Sequence, residues 1–131
     1  MGRSELREHI FKMIFGIEFS DTEHLEEQID LYLDQLVEVS EKDRKYMADK
    51  AKAIAAKVEE IDAIINEHTT GWKTTRMNKV DLSILRLAVY EMKWDEDVPV
   101  KVAINEAVEL GKRFSGDEGP AFINGVLGKL A

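Results

Sequence analysis

The histidines are the first candidates for chemistry, because histidine can act as an acid, a base or a metal ligand near neutral pH. The chain has three, His9, His24 and His68, which are far apart in the sequence. None belongs to a His-Glu-x-x-His zinc motif, and the Glu-x-x-His repeat of di-iron bundles is approached only once, by Asp21-x-x-His24. We therefore expect surface or capping roles for these histidines and no metal site.

The sequence also lacks a convincing nucleophile or phosphate-binding loop. There is no cysteine, which excludes a disulfide framework, a catalytic thiol and thiolate metal ligands. Residues 125–129 (GVLGK) share some residue types with a phosphate-binding loop, but they lack its spacing and its Ser or Thr. They also lie within a helical pattern. The residues therefore indicate no catalytic constellation and no cofactor.

The charge distribution restricts the class of partner. Eighteen basic and 26 acidic side chains give a net charge of −8, which argues against indiscriminate binding to nucleic acid. The negative charge is concentrated in residues 18–43, which contain ten acidic residues and one basic residue. Residues 1–17 and 44–58 are locally positive. A basic surface is therefore compatible with this acidic chain.

Apolar residues recur at spacings of three and four along the chain, and no stretch alternates convincingly at a spacing of two. This pattern predicts an all-α fold of six or seven helices, and 131 residues fit one domain over 1–131. Four local signals set the expected helix ends: a Ser20-x-x-Glu23 capping box, a Ser40 cap, and prolines at two helix starts, Pro99 and Pro120. Length alone suggests a break near residues 57–60.

Three polar or aromatic positions lead to expectations about packing. Trp72 lies in the longest connection, residues 69–77, and we expect it to pack onto the core. Asn105 and Asn124 stand inside helical patterns, where asparagine is unfavourable. We therefore expect both amides to make buried hydrogen bonds between helices, because an unpaired buried amide costs about 1–3 kcal/mol.

The C-terminal half contains a series of blocks in a specific order: Trp72, Arg76, and residues 80–92, 97–110 and 122–127. In their order and spacing these blocks closely resemble the NusB family of bacterial transcription antitermination factors. At the other end of the chain, Arg3-x-x-Leu6-Arg7-Glu8 with Lys12 and Phe15 is similar to the opening helix of that family.

This resemblance implies an all-α fold of two three-helix sub-bundles and no enzymatic activity. From the residues themselves, a chain without cysteine and without an apolar run of about 20 residues is expected to be cytoplasmic and away from membranes. The resemblance implies binding to the boxA segment of ribosomal-RNA leader or antiterminator transcripts, together with NusE (ribosomal protein S10). In the family this complex acts with other Nus factors on the elongating RNA polymerase.

The resemblance also implies two sets of site residues. The residues expected to contact RNA are basic, aromatic or amide side chains: Arg3, Arg7, Lys12, Lys101, Phe122 and Asn124. The residues expected to face NusE are acidic: Asp81 and Glu118. Lys12 and Phe15 replace a glutamine and a tyrosine of the family, and the chain has fewer arginines than is usual there.

One alternative remains open. The reduced arginine cluster is compatible with a helical adaptor that holds a protein partner without touching RNA. A related domain also precedes certain ribosomal-RNA methyltransferases, but these 131 residues include no βα region for their cofactor.

Overall fold

The computed structural model describes residues 1–17 and 24–131. The described residues form seven α-helices: α1 (Arg3–Ile17), α2 (Leu25–Asp34), α3 (Glu41–Ala56), α4 (Val58–Glu67), α5 (Lys79–Trp94), α6 (Val100–Phe114) and α7 (Gly119–Leu130). A short 3₁₀ helix, Thr74–Arg76, lies between α4 and α5. The all-α prediction is confirmed over this part of the chain. None of these helices is long and apolar enough to cross a membrane.

The chain divides into two compact units, Met1–Ala56 and Lys57–Ala131. The first unit contains α1, α2 and α3, as expected for a three-helix sub-bundle. The second contains four helices. The helical run is interrupted at Lys57, and α4 belongs with the helices that follow it. The break that we expected near residues 57–60 is therefore confirmed.

The core of the first unit consists of apolar side chains from the predicted helical stripes. Ile10 and Ile14 of α1, Ile29 of α2, and Met47 and Ile54 of α3 are at most 1% exposed. The predicted Ser40 cap is confirmed, since the Ser40 Oγ accepts a hydrogen bond from the Asp43 amide at 3.1 Å. The Ser20-x-x-Glu23 capping box and Asp21 lie outside the described residues.

Ion pairs join the acidic helix α2 to the basic part of α3. An Arg44 Nη2 lies 2.9 Å from Asp34 and 4.0 Å from Asp30, and the Lys52 Nζ lies 3.8 Å from Glu26. The acidic and basic stretches, which are successive in the sequence, thus partly neutralise each other. Each exposed pair contributes at most about 1 kcal/mol.

In the second unit, α5 is buried along most of its length. Every residue from 81 to 89 is buried. The Arg86 guanidinium donates two hydrogen bonds to Asp62 of α4, at 2.9 and 2.7 Å. Arg86 therefore makes a structural contact between α4 and α5.

The caps of the second unit agree with the sequence to within one residue. Pro99 is the N-cap of α6, and Pro120 is the second residue of α7. Asn78 caps α5 through its Oδ1, which accepts the Asp81 amide at 2.8 Å, and the Asn78 Nδ2 donates to the Asp81 Oδ2 at 2.9 Å. This reciprocal pair orders the start of α5.

The expectation that Asn105 and Asn124 are buried is wrong. Both side chains are exposed. Ala103 and Ala107 mark the buried face of α6, and Ile123 and Leu127 mark that of α7. At 100° per residue Asn105 lies on the side of α6 away from that face, and Asn124 lies beside the buried face of α7.

Candidate nucleic-acid interface

Helix α1 presents two of its three basic residues at the surface. Arg3 and Lys12 are exposed, and the Lys12 Nζ makes an ion pair with Glu8, one turn earlier, at 3.1 Å. Arg7 is only 6% exposed, because it lies on the same side of α1 as the buried Phe11. In this conformation Arg7 is not available for the direct phosphate contact that we expected from the sequence.

The same helix carries a polar contact that sequence analysis missed. The His9 Nδ1 lies 2.7 Å from the Tyr32 hydroxyl, so a hydrogen bond joins α1 to α2. Burial, together with the negative charge of Glu8, raises the pKa of Tyr32 above its ordinary value. His9 thus has a structural role rather than the surface or capping role that we expected, and its spacing in the sequence offered no signal for this contact.

In the part of the chain that the structure describes, the other histidines and the acidic residues form no metal site. His24 is exposed at the start of α2, and the His68 Nδ1 lies 2.9 Å from the Ile64 carbonyl oxygen. Within residues 1–17 and 24–131, no group of three or more histidine or carboxylate side chains could hold a metal ion.

In the second unit, the residues expected to contact RNA lie at the surface. Lys101 and Asn124 are exposed, on α6 and α7 respectively. Phe122 is half-buried, and its ring meets the ring of Trp72 edge to face, with the centroids 6.1 Å apart. This geometry is one that aromatic pairs prefer.

The expectation that Trp72 packs onto the core is wrong, because its side chain is 57% exposed. Thr69, Thr74 and Met77 are the residues of this connection that are buried. Gly71 precedes Trp72 with a φ of +80°, a conformation that favours glycine. The connection is therefore anchored at both ends and presents Trp72 to solvent between them.

Two grooves adjoin the Trp72–Phe122 pair, and both rings line both grooves. The larger groove, about 550 Å³, is otherwise lined by Met77, Asn78, Asp81 and residues 115–119. The smaller groove, about 220 Å³, is lined by Thr70, Gly125, Lys129 and their neighbours on α7 and in the connection. One groove thus has an acidic rim and the other a basic rim.

The two acidic residues expected to face NusE differ in exposure. Asp81 is only 6% exposed and accepts hydrogen bonds from Asn78 and from the Ser115 hydroxyl. A Cβ at Gly119 would clash with the Ser115 side chain, so glycine is required beside this contact. Asp81 therefore joins α5 to the C-cap of α6, and little of its side chain is exposed. Glu118 is exposed and makes no side-chain cap for α7.

A basic segment around Trp72 was also missed at the level of sequence. Residues 68–80 contain Lys73, Arg76 and Lys79 and no acidic residue, in a chain with a net charge of −8. Lys73 and Arg76 are exposed. The absence of acidic residues beside an aromatic residue was the available signal, because single-stranded nucleic acid is bound by basic and aromatic side chains together.

Fold and surface together define a class of protein. The described residues are all-helical and expose basic and aromatic side chains, among them Arg3, Lys101 and Trp72. These features define a helical binding protein.

The chain belongs to the NusB family, whose sequence pattern matches residues 4–131. It is 53% identical over 131 residues to the transcription antitermination protein NusB of Agathobacter rectalis, covering 100% of both chains. It is 46% identical over 130 residues to the corresponding protein of Lachnoclostridium phytofermentans, covering 99% of this chain and 98% of the relative. Membership of this family confirms the resemblance inferred from the sequence and the prediction that the chain is not an enzyme.

Solved structures have the same fold. Crystalline NusB of T. maritima superimposes with a TM-score of 0.88 at 30% identity, covering 100% of this chain and 91% of that one. A chain in a crystal structure of the antitermination factors NusB and NusE in complex with double-stranded RNA superimposes with a TM-score of 0.78 at 22% identity. That alignment covers 96% of this chain and 92% of the other.

Proposed function

We propose that the chain is a cytoplasmic transcription antitermination factor whose residues 1–131 act as one RNA-binding domain. It binds boxA RNA together with NusE, and the complex acts with other Nus factors on the elongating RNA polymerase. The observation that carries this proposal is the sequence identity of 53% and 46%, over almost the whole chain, to two relatives named transcription antitermination protein NusB. The solved complex of NusB with NusE and RNA supports the choice of partners.

The proposed RNA contacts are the exposed members of the set taken from the sequence: Arg3, Lys12, Lys101, Phe122 and Asn124. The three bases are suited to phosphates, and Phe122 is suited to stacking with an unpaired base. Because Arg7 is buried, it supports the position of α1 and does not itself hold a phosphate.

The proposed contact with NusE lies at the exposed acidic rim that contains Asp117 and Glu118. A basic ribosomal protein is complementary to this rim, and complementary charge mainly raises the association rate. Asp81 is not part of this contact, since its carboxylate is used inside the unit.

The test is a titration of boxA RNA and a scrambled strand of the same composition, each with and without NusE, at several salt concentrations. We expect tighter binding to boxA when NusE is present. Three phosphate contacts on a single strand give a slope of log affinity against log salt near about −2, at roughly −0.7 per contact. Equal affinity for the two strands with NusE present would refute RNA recognition.

Single substitutions separate the roles of the contact residues. Lys101→Ala should flatten the salt slope by about 0.7. It should weaken binding to boxA and to the scrambled strand equally, because phosphate contacts do not read sequence. Lys112→Ala is the matched control, since Lys112 is an exposed base on the same helix, paired with Glu109 at 3.1 Å. Arg7→Ala should leave the slope unchanged.

Phe122→Ala should lower boxA affinity about fivefold to 150-fold, the range for the loss of one stacked base, without a change in slope.

The adaptor alternative is favoured by one observation, the burial of Arg7, which leaves α1 with two exposed bases. That alternative expects the chain to bind NusE normally and to show no affinity for either RNA strand.

A further inference from the structure

The smaller groove, beside α7, has a volume sufficient for one flat ring. Its volume of about 220 Å³ is far above the roughly 10–15 Å³ that a single water needs. The rings of Trp72 and Phe122 line it, together with Gly125 and Val126 of α7. Apart from these two rings the groove has a polar rim, with the exposed Thr70 and Lys129.

Trp72 is the feature of this groove that the chain's own packing does not explain. An indole ring left 57% exposed forgoes most of the apolar burial available to the largest side chain in proteins. The connection is nevertheless anchored, because the Asn66 Oδ1 accepts the Thr74 amide at 2.9 Å and the Thr69 Oγ1 donates to the Ile65 carbonyl at 3.0 Å. The indole is therefore presented by an ordered support.

At residue 125 no side chain fills the groove, because this residue is glycine. A Cβ at Gly125 would meet no other atom of the protein within 4 Å, so it would project into the groove and not into the core. Glycine inside a helix lowers helix stability relative to alanine. Gly128, one turn further along α7, has an equally unobstructed position but does not line the groove.

The charge around the groove indicates an anionic occupant. Residues 68–80 carry three bases and no acid, and Lys129 adds a further exposed base at the groove itself. An exposed aromatic ring among bases is suited to single-stranded nucleic acid, since every nucleobase can stack and each carries a phosphate. An apolar peptide would not require this positive charge.

Building on the proposed function, we infer that this groove holds one unpaired RNA base, stacked on Trp72 above Gly125, with the attached phosphate at Lys129. Trp72 is then a second aromatic platform beside Phe122. The groove adds a nucleotide contact that neither the basic residues of α1 nor Lys101 supplies.

Tryptophan fluorescence reports this contact directly, because the chain has only two tryptophans. Trp94 is half-buried, stacked on Tyr90 with Lys57 over its ring, and serves as the internal reference. We expect boxA RNA to quench the emission of Trp94→Phe, in which Trp72 is the only indole. The emission of Trp72→Phe should change little, although that variant binds RNA.

Affinity measurements with glycine variants test the groove at residue 125 without weakening the fold. Gly125→Ala and Gly128→Ala should both raise the thermal stability of the protein. Only Gly125→Ala should also lower boxA affinity, by about fivefold or more. Trp72→Ala should lower the affinity about fivefold to 150-fold, whereas Trp72→Phe should retain most of it because a flat ring remains.

The outcomes distinguish this inference from the proposed function. If Trp94→Phe binds boxA with wild-type affinity and its emission does not change, no RNA base stacks on Trp72. That result overturns this inference and leaves the proposed function unaffected. If NusE alone changes that emission and RNA causes no further change, the groove is a protein contact and the inference is overturned. If the wild-type protein with NusE binds no RNA, the proposed function fails and this inference fails with it.

Discussion

Replacement of Asp62 by alanine should destabilise the second unit more than the loss of any exposed ion pair. The Arg86 guanidinium makes two hydrogen bonds to Asp62, and its side chain is only 7% exposed. In Asp62→Ala the positive charge stays in a buried position without these two contacts. The Asp62 side chain is 21% exposed, so water can replace part of what is lost.

The size of the effect follows from these exposures. Removing one partner of a fully buried ion pair costs about 3–5 kcal/mol. Partial access of water reduces the expected loss of unfolding free energy to about 2–4 kcal/mol. For a chain of 131 residues, a loss of 1 kcal/mol of unfolding free energy lowers Tm by about 3–5 °C. The expected fall in Tm is therefore about 6–20 °C.

The assay is thermal and urea unfolding followed by helical circular dichroism. Glu109→Ala is the matched control, because it breaks an exposed ion pair with Lys112 and should cost less than about 1 kcal/mol. The double variant Asp62→Leu with Arg86→Met should recover most of the stability, since an apolar pair of similar volume replaces the charges. A loss below about 1 kcal/mol in Asp62→Ala would refute the reasoning, as removal of these two contacts from a buried charge would then carry no penalty.

Three further predictions concern α1, the acidic residues and alkaline pH. Gly16→Ala should stabilise the protein by about 0.5–1 kcal/mol, because Gly16 is exposed in α1 and an added Cβ meets no atom within 4 Å; a lower Tm would contradict this. Asp81→Lys should lower Tm markedly, whereas Glu118→Lys should leave Tm unchanged and slow association with NusE, as stopped-flow mixing at low salt can show. Burial raises the pKa of Tyr32 above 10.0, so this phenol ionises first in the unfolded chain. Its contribution to the free energy of unfolding is therefore fully present below pH 10 and falls as the pH rises past it. Tyr32→Phe should lose less stability than the wild type as the pH is raised above 10, and equal losses would show that this phenol does not contribute.

The helices could be predicted from the sequence because their signals are local. Apolar spacing of three and four marks the buried face of each helix, and Ser40, Pro99 and Pro120 mark helix starts within one residue. These signals depend on residues within one or two turns. Tertiary contacts did not override them in the described part of the chain.

The site could be predicted less well because exposure depends on residues distant in sequence. Arg7 was expected at the surface, although the spacing to Phe11 and Ile14 already places it on a buried row of α1. Trp72 was expected in the core, but Thr69, Thr74 and Met77 take those positions. Which apolar residue of a connection is buried depends on the packing of the helices it joins, and no local pattern encodes that.

The burial of α5 on all sides has a consequence for hydrogen exchange. Residues 81–89 span about two and a half helical turns, and each of them is buried. The amide hydrogens of residues 82–89 are bonded within the helix, and that of Asp81 is bonded to the side chain of the N-cap Asn78. All of them are shielded from water, so solvent reaches them only when the second unit opens extensively. Deuterium should therefore enter α5 last, at a rate that measures the free energy of that opening, while the exposed connection around Trp72 exchanges much earlier.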